Sequence, residues 1–493
     1  MPKLLIVAGD PLTASEGEVV RAFNAANAFE LLLTLQPSVL PRHPLGLIER
    51  AYRALDRRLF ERSPSASLPV AAAGEIASLV HDHRIDAVID LTNTLEWTPE
   101  LSGLPLIRLS IDGRPVSDLA EATRQCIGTP QGSVRIQALW AQSSTVPPVE
   151  LFHGRCYIDH RSLIRSIGLV AHKLPMFVQA ALQRHARDQL VNSTLARPES
   201  KATPATAMQL LRRLLTSVVQ RVSLRVHWRV VLYRAQSRYD LTKPWVELQP
   251  NKAALWADPF VIPHPGGVAV FFEELPYASN VGRISLIDVD HQGRQSHPKA
   301  ILDRPWHLSY PYVFEWRGKR YMMPESSANK TLDLYECIRF PDQWTLAATL
   351  ISGVSLADAS IVEWQGRLWM FAAHAQAGAS NYDELNLYWA SDLLGTWTAH
   401  PLNPVKIDAS SARPAGAPFV EDGRLLRPTQ DCRNRYGDAV SFQEVLMLSD
   451  TQFEERTLET LSPGGIEPGD AVHTYNQSGG FVAIDSARWV RRF

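Results

Sequence analysis

The segment 307–326, HLSYPYVFEWRGKRYMMPES, reads as a strand, a tight turn at Arg317-Gly318 and a second strand that ends on an acid. Tyr310, Tyr312 and Phe314, then Tyr321 and Met323, recur at the period of two expected of half-buried strands. The same shape returns in WADPFVIPHPGGVAVFFEE (256–274) and LADASIVEWQGRLWMFAAH (356–374). It returns more loosely in RPAGAPFVEDGRLLRPTQD (413–431) and GDAVHTYNQSGGFVAID (469–485). The hairpin glycines Gly267, Gly318, Gly366, Gly423 and Gly480 fall roughly 50 residues apart, the spacing of a propeller blade. The repeats predict an all-β, five-bladed β-propeller over 245–493.

Working outward, the chain of 493 residues is long enough for two domains or more. Its 45% apolar and 20% charged content is that of a soluble globular protein. A net charge of -1 argues against a nucleic-acid binder that relies on overall basicity, so no nucleic-acid partner is expected. Cys126, Cys156, Cys337 and Cys432 show no metal-ligand spacing, and no dense oxygen-ligand loop occurs. Free thiols in a reducing compartment and no metal are the expectation. The opening MPKLLIVAGDP is too short an apolar run for a signal peptide. No stretch reaches the roughly 18–20 apolar residues of a membrane span. A cytoplasmic protein is expected.

Residues 1–190 alternate apolar strands (3–10, 29–35, 85–91, 104–110) with helical patterns (16–28, 73–83, 162–187), the signature of an open α/β sheet. Ligands on such sheets usually sit beyond the strand carboxyl ends, here near Gly9-Asp10, Asn93 and Ser110-Ile111-Asp112. No GxGxxG or P-loop is present. In the order of its segments this region resembles a degenerate formyltransferase-type domain, with Asp159-His160-Arg161-Ser162 preceding a helix. The Asn and His of that family's catalytic segment are missing from Arg108-Leu109-Ser110-Ile111-Asp112, so the resemblance implies a structural domain more than formyl transfer.

Residues 191–244 read as a linker followed by a basic connector. The stretch 207–238 carries Arg212, Arg213, Arg221, Arg225, Arg229, Arg234 and Arg238 and no acid. As a helix it offers a face for anionic lipid, hence peripheral contact with the inner face of a membrane. Interdomain packing is the blander expectation, and 222–233 also alternates like a first propeller strand.

In a propeller, strand starts and loops at one end line the axial ligand site. The repeat places Asp258, Tyr310, Asp358, Ala415 and about Val472 at equivalent strand starts. The following turns deliver Glu273 and Glu274, Glu325, then Gln430 and Asp431. Arg413, Arg427, His307, Tyr436, His473 and Asn476 complete the candidate set. Carboxylates flanking a sugar suit acid–base chemistry at a glycosidic bond, and Trp256, Trp306, Tyr310, Tyr312 and Tyr436 could stack on sugar faces. Each residue also has a plain reading, as a turn cap or as blade core.

WADPF, FFEE, the whole 307–326 segment, Asp358-Ala359-Ser360, ARPAG (412–416), RPTQDC (427–432) and RYG (435–437) resemble one propeller family. It is the N-terminal domain of plant glucosamine inositolphosphorylceramide transferases and of bacterial relatives carrying a formyltransferase-like domain before it. More distantly, the Asp-Pro opening of blade one resembles arabinanase, levansucrase and invertase propellers. That resemblance implies Asp258 as base or nucleophile and Asp358 as the orienting or charge-stabilising partner. It leaves no clean general-acid Glu, for which Glu325 is the substitute.

The expected function is glycosyl transfer or cleavage on a glycan, sugar phosphate or glycolipid. Asp258, Glu325 and Asp358 would be catalytic. Glu274, His307, Tyr310, Arg413, Arg427, Gln430, Asp431, Tyr436 and His473 would bind substrate. No cofactor is expected beyond a nucleotide-sugar donor, whose phosphates Arg413 and Arg427 would hold. The rival readings are a non-catalytic glycan-binding scaffold and an enzyme applying the same acids to a non-sugar substrate.

Overall fold

The computed structural model describes the chain apart from residues 11–13, 27, 38–46, 61–75, 93–94, 96–100, 102–103, 128–131, 143–145, 188–204, 236–240, 242, 375–377, 464–469 and 493. Asn93 and most of the expected linker lie outside the described residues. The chain forms two compact units, Met1–Val219 with Gln376–Ser380, and Gln220–Ala375 with Asn381–Phe493.

The first unit is built on a mixed sheet. Lys3–Asp10, Glu30–Pro37, Ala87–Asp90 and Leu106–Ile111 run parallel, and Ser133–Ala141 and Val149–Tyr157 continue the sheet antiparallel. Ala87–Asp90 is buried throughout, as a central parallel strand covered on both faces should be. The Asp159–Ser162 motif proves to be a helix start. Ser162 caps Leu163–Ala171 by accepting from Arg165 N–H, and Asp159 binds the guanidinium of Arg161.

The second unit is five antiparallel sheets. Blade one begins with Ala254–His264, blade two with Ser309–Trp316, blade three with Leu356–Trp364, blade four with Phe419–Glu421 and blade five with Tyr475–Ser478. Four shared cores join them in a cycle. Phe260, Tyr312, Tyr335, Ile361 and Met370 tie blades one, two and three. Phe371 and Leu425 tie three to four, Phe442 and Tyr475 tie four to five, and Leu232 and Val261 tie five to one. Every inner strand is therefore sandwiched between neighbours. That is why 309–313 is buried without a break instead of alternating as the sequence pattern suggested.

The hairpins follow their sequence signal. Arg317 and Gly318 have φ of 49° and 75°, and Asp422 and Gly423 have 51° and 74°. Two consecutive positive values are the type I′ turn that matches strand twist.

Blade five corrects the connector. Its inner strands come from the C-terminal end, Tyr475–Ser478 and Phe481–Arg491, but its outer strands are Leu224–Arg234 and Val246–Leu248. The propeller thus begins upstream of 245, and only Ala207–Ser223 of the basic stretch is helical. Arg229 is paired with Glu247 at 3.0 Å, and Arg234 lies over the Trp245 ring. The continuous lipid-facing helix expected over 207–238 does not form, because the second half alternates and finds a strand partner in Phe481–Arg491. Among the described residues no helix is long and apolar enough to cross a membrane.

Candidate functional site

The site is built on a backbone irregularity repeated in three blades. The ladder slips between Ala257 and Phe260, between Ser309 and Tyr312, and between Ala357 and Ser360. Inside these bulges Asp258, Tyr310 and Asp358 have φ of 52°, 44° and 52°. Left-handed backbone costs a non-glycine residue roughly 1–2 kcal/mol, and such outliers gather where a side chain must be re-aimed. All three side chains are buried.

A chain of hydrogen bonds links them. Asp485 accepts the N–H of Asp258 at 3.1 Å, Asp258 accepts that of Tyr310 at 3.2 Å, and Glu325 accepts that of Asp358 at 3.2 Å. A carboxylate of one blade thus holds the bulge of the next. Asp258 also accepts from the Thr474 hydroxyl at 2.9 Å and lies 3.2 Å from His473 Nε2. His473 Nδ1 is 2.6 Å from Asp485, close enough for an ion pair but out of line for a hydrogen bond. Asp358 receives Arg413 Nε at 2.5 Å and Gln430 Nε2 at 2.8 Å. The Ser327 hydroxyl donates to Glu325 at 2.6 Å, and the hydroxyls of Tyr310 and Ser360 are 2.8 Å apart.

Charge is crowded here. Burial raises Asp258 to about 7; His473 opposes the shift, while Glu273, Asp358 and Asp485 add to it. Burial likewise lifts Glu325 to about 8, with Asp358 adding and Arg413 opposing. Burial pushes His473 down, but Asp485 and Asp258 outweigh it and carry the imidazole up to about 9. Glu325 therefore carries a proton at neutral pH, and Asp258 is poised between its two forms.

Of the residues expected in the site, Asp258, Glu325, Asp358, Tyr310, Arg413, Gln430, Tyr436 and His473 come together. His307 joins through Glu273, 3.1 Å from its Nε2, and the hydrogen bond to Glu273 raises its pKa. Three residues fall elsewhere. Glu274 faces Arg283 at 3.0 Å and the Ser285 hydroxyl at 2.7 Å, since strand parity turns it away from Glu273. Arg427 is fully buried against Glu455 at 2.7 Å, with Lys406 on the same carboxylate, so its charge is already matched. Asp431 is gripped by Arg433. Trp256 packs on Phe272 in the core between blades five and one.

Sequence reasoning missed Asp485, Tyr382 and Trp228. Tyr382 stacks with Tyr436 at 5.4 Å, and the Arg413 guanidinium lies 5.4 Å from each ring. Trp228 lies against His473 at 4.3 Å. Asp485 closes the fifth repeat and was visible there, whereas Trp228 belongs to a strand far from the repeats it completes. Blade four has Ala415 where blades one and three carry an Asp. The adjoining Gly416 admits no side chain, since a Cβ there would lie 1.9 Å from the Tyr475 carbonyl oxygen.

Asp258, His473 and Asp485 also offer ligand atoms within 4.8 Å of one another. The His473 imidazole already stands between the two carboxylates, 3.2 Å from Asp258 and 2.6 Å from Asp485, and as a cation offsets one of their two charges.

Comparison with known proteins places the likeness in the propeller. Residues 244–463 match the family model described as glucosamine inositolphosphorylceramide transferase 1, N-terminal. The enzyme of that name from Oryza sativa subsp. japonica is 36% identical over 203 residues, 40% of this chain and 27% of the relative. The Arabidopsis thaliana protein is 34% identical over 203 residues, 40% of this chain and 26% of its own length. The chain therefore spans about a quarter of these relatives. An exo-beta-1,3-galactanase from Clostridium thermocellum aligns with a TM-score of 0.34 at 15% identity, covering 46% of this chain and 53% of that one. Zg3597, a family 117 glycoside hydrolase from Zobellia galactanivorans, gives 0.35 at 12%, covering 53% and 90%. Scores this low leave the fold to rest on the five sheets and their shared cores.

Proposed function

We propose that the propeller acts on a sugar, transferring or cleaving a glycosyl group of a glycan or glycolipid in its axial funnel. The observation that carries this is the division of labour among the buried carboxyls. Glu325 holds a proton near neutrality and can give it to a leaving oxygen. Asp258, near 7, can take a proton from the attacking hydroxyl or attack the anomeric carbon itself. Asp358, fixed by Arg413 and Gln430, would meet the positive charge that develops on the sugar ring. Tyr436 and Tyr382 offer an apolar platform at Arg413. The relatives named glucosamine inositolphosphorylceramide transferase support a sugar-bearing substrate.

A thermal-shift screen of nucleotide-sugars, sugar phosphates and short glycans tests this, followed by turnover assays on the hits. Asp258→Asn should lower turnover by about 10²–10⁴-fold with the fold retained. Full activity in that variant would overturn the assignment.

One observation favours a second reading, a glycan-binding scaffold without turnover. Asp485, Asp258 and Glu325 each hold the next blade's bulge N–H, so the acids also serve the ring itself. Sugar binding that survives both Asp258→Asn and Glu325→Gln, with no product formed, would select it.

For the first unit we infer a formyltransferase-like descent without the chemistry. Asp112 accepts the Arg135 N–H at 3.1 Å and the Cys126 thiol at 3.0 Å, and is occupied as a structural group. Binding of a formyl-folate would contradict this.

A further inference from the structure

Past Asp485 the ladder of blade five continues to the Arg491–Leu224 pair, beyond the ring of bulges. Along Leu224–Arg234 the residues Arg225, His227 and Arg229 share one face, and Trp228 takes the other, against His473. Arg488 stands directly opposite His227 in the ladder. Blade one adds Tyr277, whose hydroxyl is 3.0 Å from His227 Nδ1 and whose ring lies 4.1 Å beneath the Arg225 guanidinium. Cations of blade five and an aromatic of blade one thus meet at the funnel end of the cleft between the two blades.

The cations are poorly matched. Arg229 has Glu247 at 3.0 Å. Among the described residues no carboxylate comes within ion-pair reach of Arg225 or Arg488. Arg225 Nη2 donates to the Lys252 carbonyl at 2.9 Å, while its enclosed Nε–H has no acceptor. A buried donor without an acceptor is costly and invites one. Burial, followed by the charges of Arg225, Arg488 and Arg229, holds His227 below its ordinary value, as a site lacking its counter-charge would.

We propose that this cleft between blades five and one binds a phosphate-class anion through Arg225, His227 and Arg488. The Nη groups of Arg225 come from a guanidinium already oriented by Tyr277, and Arg488 closes from the exposed side. The two arginines that sequence reasoning assigned to phosphate, Arg413 and Arg427, are each matched by a buried carboxylate, Asp358 and Glu455. If the funnel holds a sugar, as proposed above, its attached phosphate has in this cleft a cationic surface to which the described residues bring no carboxylate at Arg225 or Arg488. The proposal rests on that reading only for what the phosphate is attached to. The phosphate could belong to a soluble sugar phosphate or nucleotide, or to a lipid headgroup, and the experiment separates the two.

Pyrophosphate would be titrated calorimetrically into the full chain, into Arg225→Gln, Arg488→Ala and the double variant, and into Arg339→Ala as an exposed control. Flotation with phosphatidylcholine vesicles doped with phosphatidic acid would run in parallel. Pyrophosphate binding weakened about tenfold or more in each single variant, further in the double, and unchanged in the control is the expected result. Flotation that the same substitutions abolish, without pyrophosphate binding, would support the site with a lipid as the phosphate's source. Neither signal, or binding indifferent to both arginines, overturns the proposal. Arg488 is exposed, so Arg488→Ala keeps the test readable should Arg225→Gln fail to fold. Pyrophosphate binding is read without turnover, so its loss is distinguishable from failure of the sugar reading, which Asp258→Asn tests separately.

Discussion

The buried acids of the first unit and those of the propeller differ in their company. In the mixed sheet, Asp90 accepts the N–H and hydroxyl of Thr92, the N–H of Leu95 and the guanidinium of Arg108. Asp56 accepts from Tyr52, Ser162 and the Ile164 N–H. Each stands among donors. In the funnel Asp258, Glu273, Glu325, Asp358 and Asp485 share Arg413, His473 and His307, and carboxyl must face carboxyl. Acids in a nest of donors fasten a fold; acids gathered beyond the number of their cations hold protons and can exchange them.

That comparison can be broken most sharply by removing one acid from each region. Glu325→Gln should cut turnover by about 10²–10⁴-fold and leave the melting temperature no lower than wild type, whereas Asp90→Asn should leave kcat unchanged and lower stability. Equal effects of both on turnover would erase the distinction. Next in size, Arg413→Met strands the buried Asp358 carboxylate and should destabilise by about 3–5 kcal/mol, read by denaturant unfolding. A melt no different from wild type would mean that Asp358 is neutral without its partner. In the first unit, Asp56→Ala orphans the Ile164 N–H and the Ser162 hydroxyl and should cost about 1–3 kcal/mol.

The effect spread most widely is on pH dependence. Asp258, Glu325 and His473 all have folded pKa values above their ordinary ones. Groups raised in this way stabilise the fold fully below their unfolded values and lose that contribution as pH rises through the folded ones. Stability from the funnel should therefore decline from about pH 4 for Asp258 to about pH 9 for His473. The melting temperature should fall across that window, and less steeply in Glu325→Gln. Turnover, needing Glu325 protonated and Asp258 ionised, should peak between about 7 and about 8. A melting curve indifferent to Glu325→Gln at every pH would remove the proton from that carboxyl.

The sequence carried the blades well, because each hairpin is local. Arg317-Gly318 and Asp422-Gly423 encode a turn that only two positive φ values satisfy. It also carried the bulged acids, since Asp258 and Asp358 recur in register. What it could not carry was pairing at a distance. Leu224–Arg234 alternates in a way that suits a strand or an amphipathic helix, and its partner Phe481–Arg491 is at the other end of the chain. Arg427 looked like a ligand because Glu455 lies on a neighbouring strand that no motif flags. Glu273 and Glu274 are adjacent and equally acidic, and only the parity set by the bulge decides which of them enters the funnel.

Closing blade five with strands from both ends has a consequence for synthesis. Leu224–Arg234 leaves the ribosome long before Phe481–Arg491, its partner along the whole length of the ladder. At about 5–20 residues per second, it waits roughly 10–50 s with an open edge, and blade one meanwhile has half a neighbour. A nascent ring of this kind needs something to shield that edge or a sequence that discourages strangers. Arg225, Arg229 and Arg234, with no acid on the strand, would repel a second copy of it.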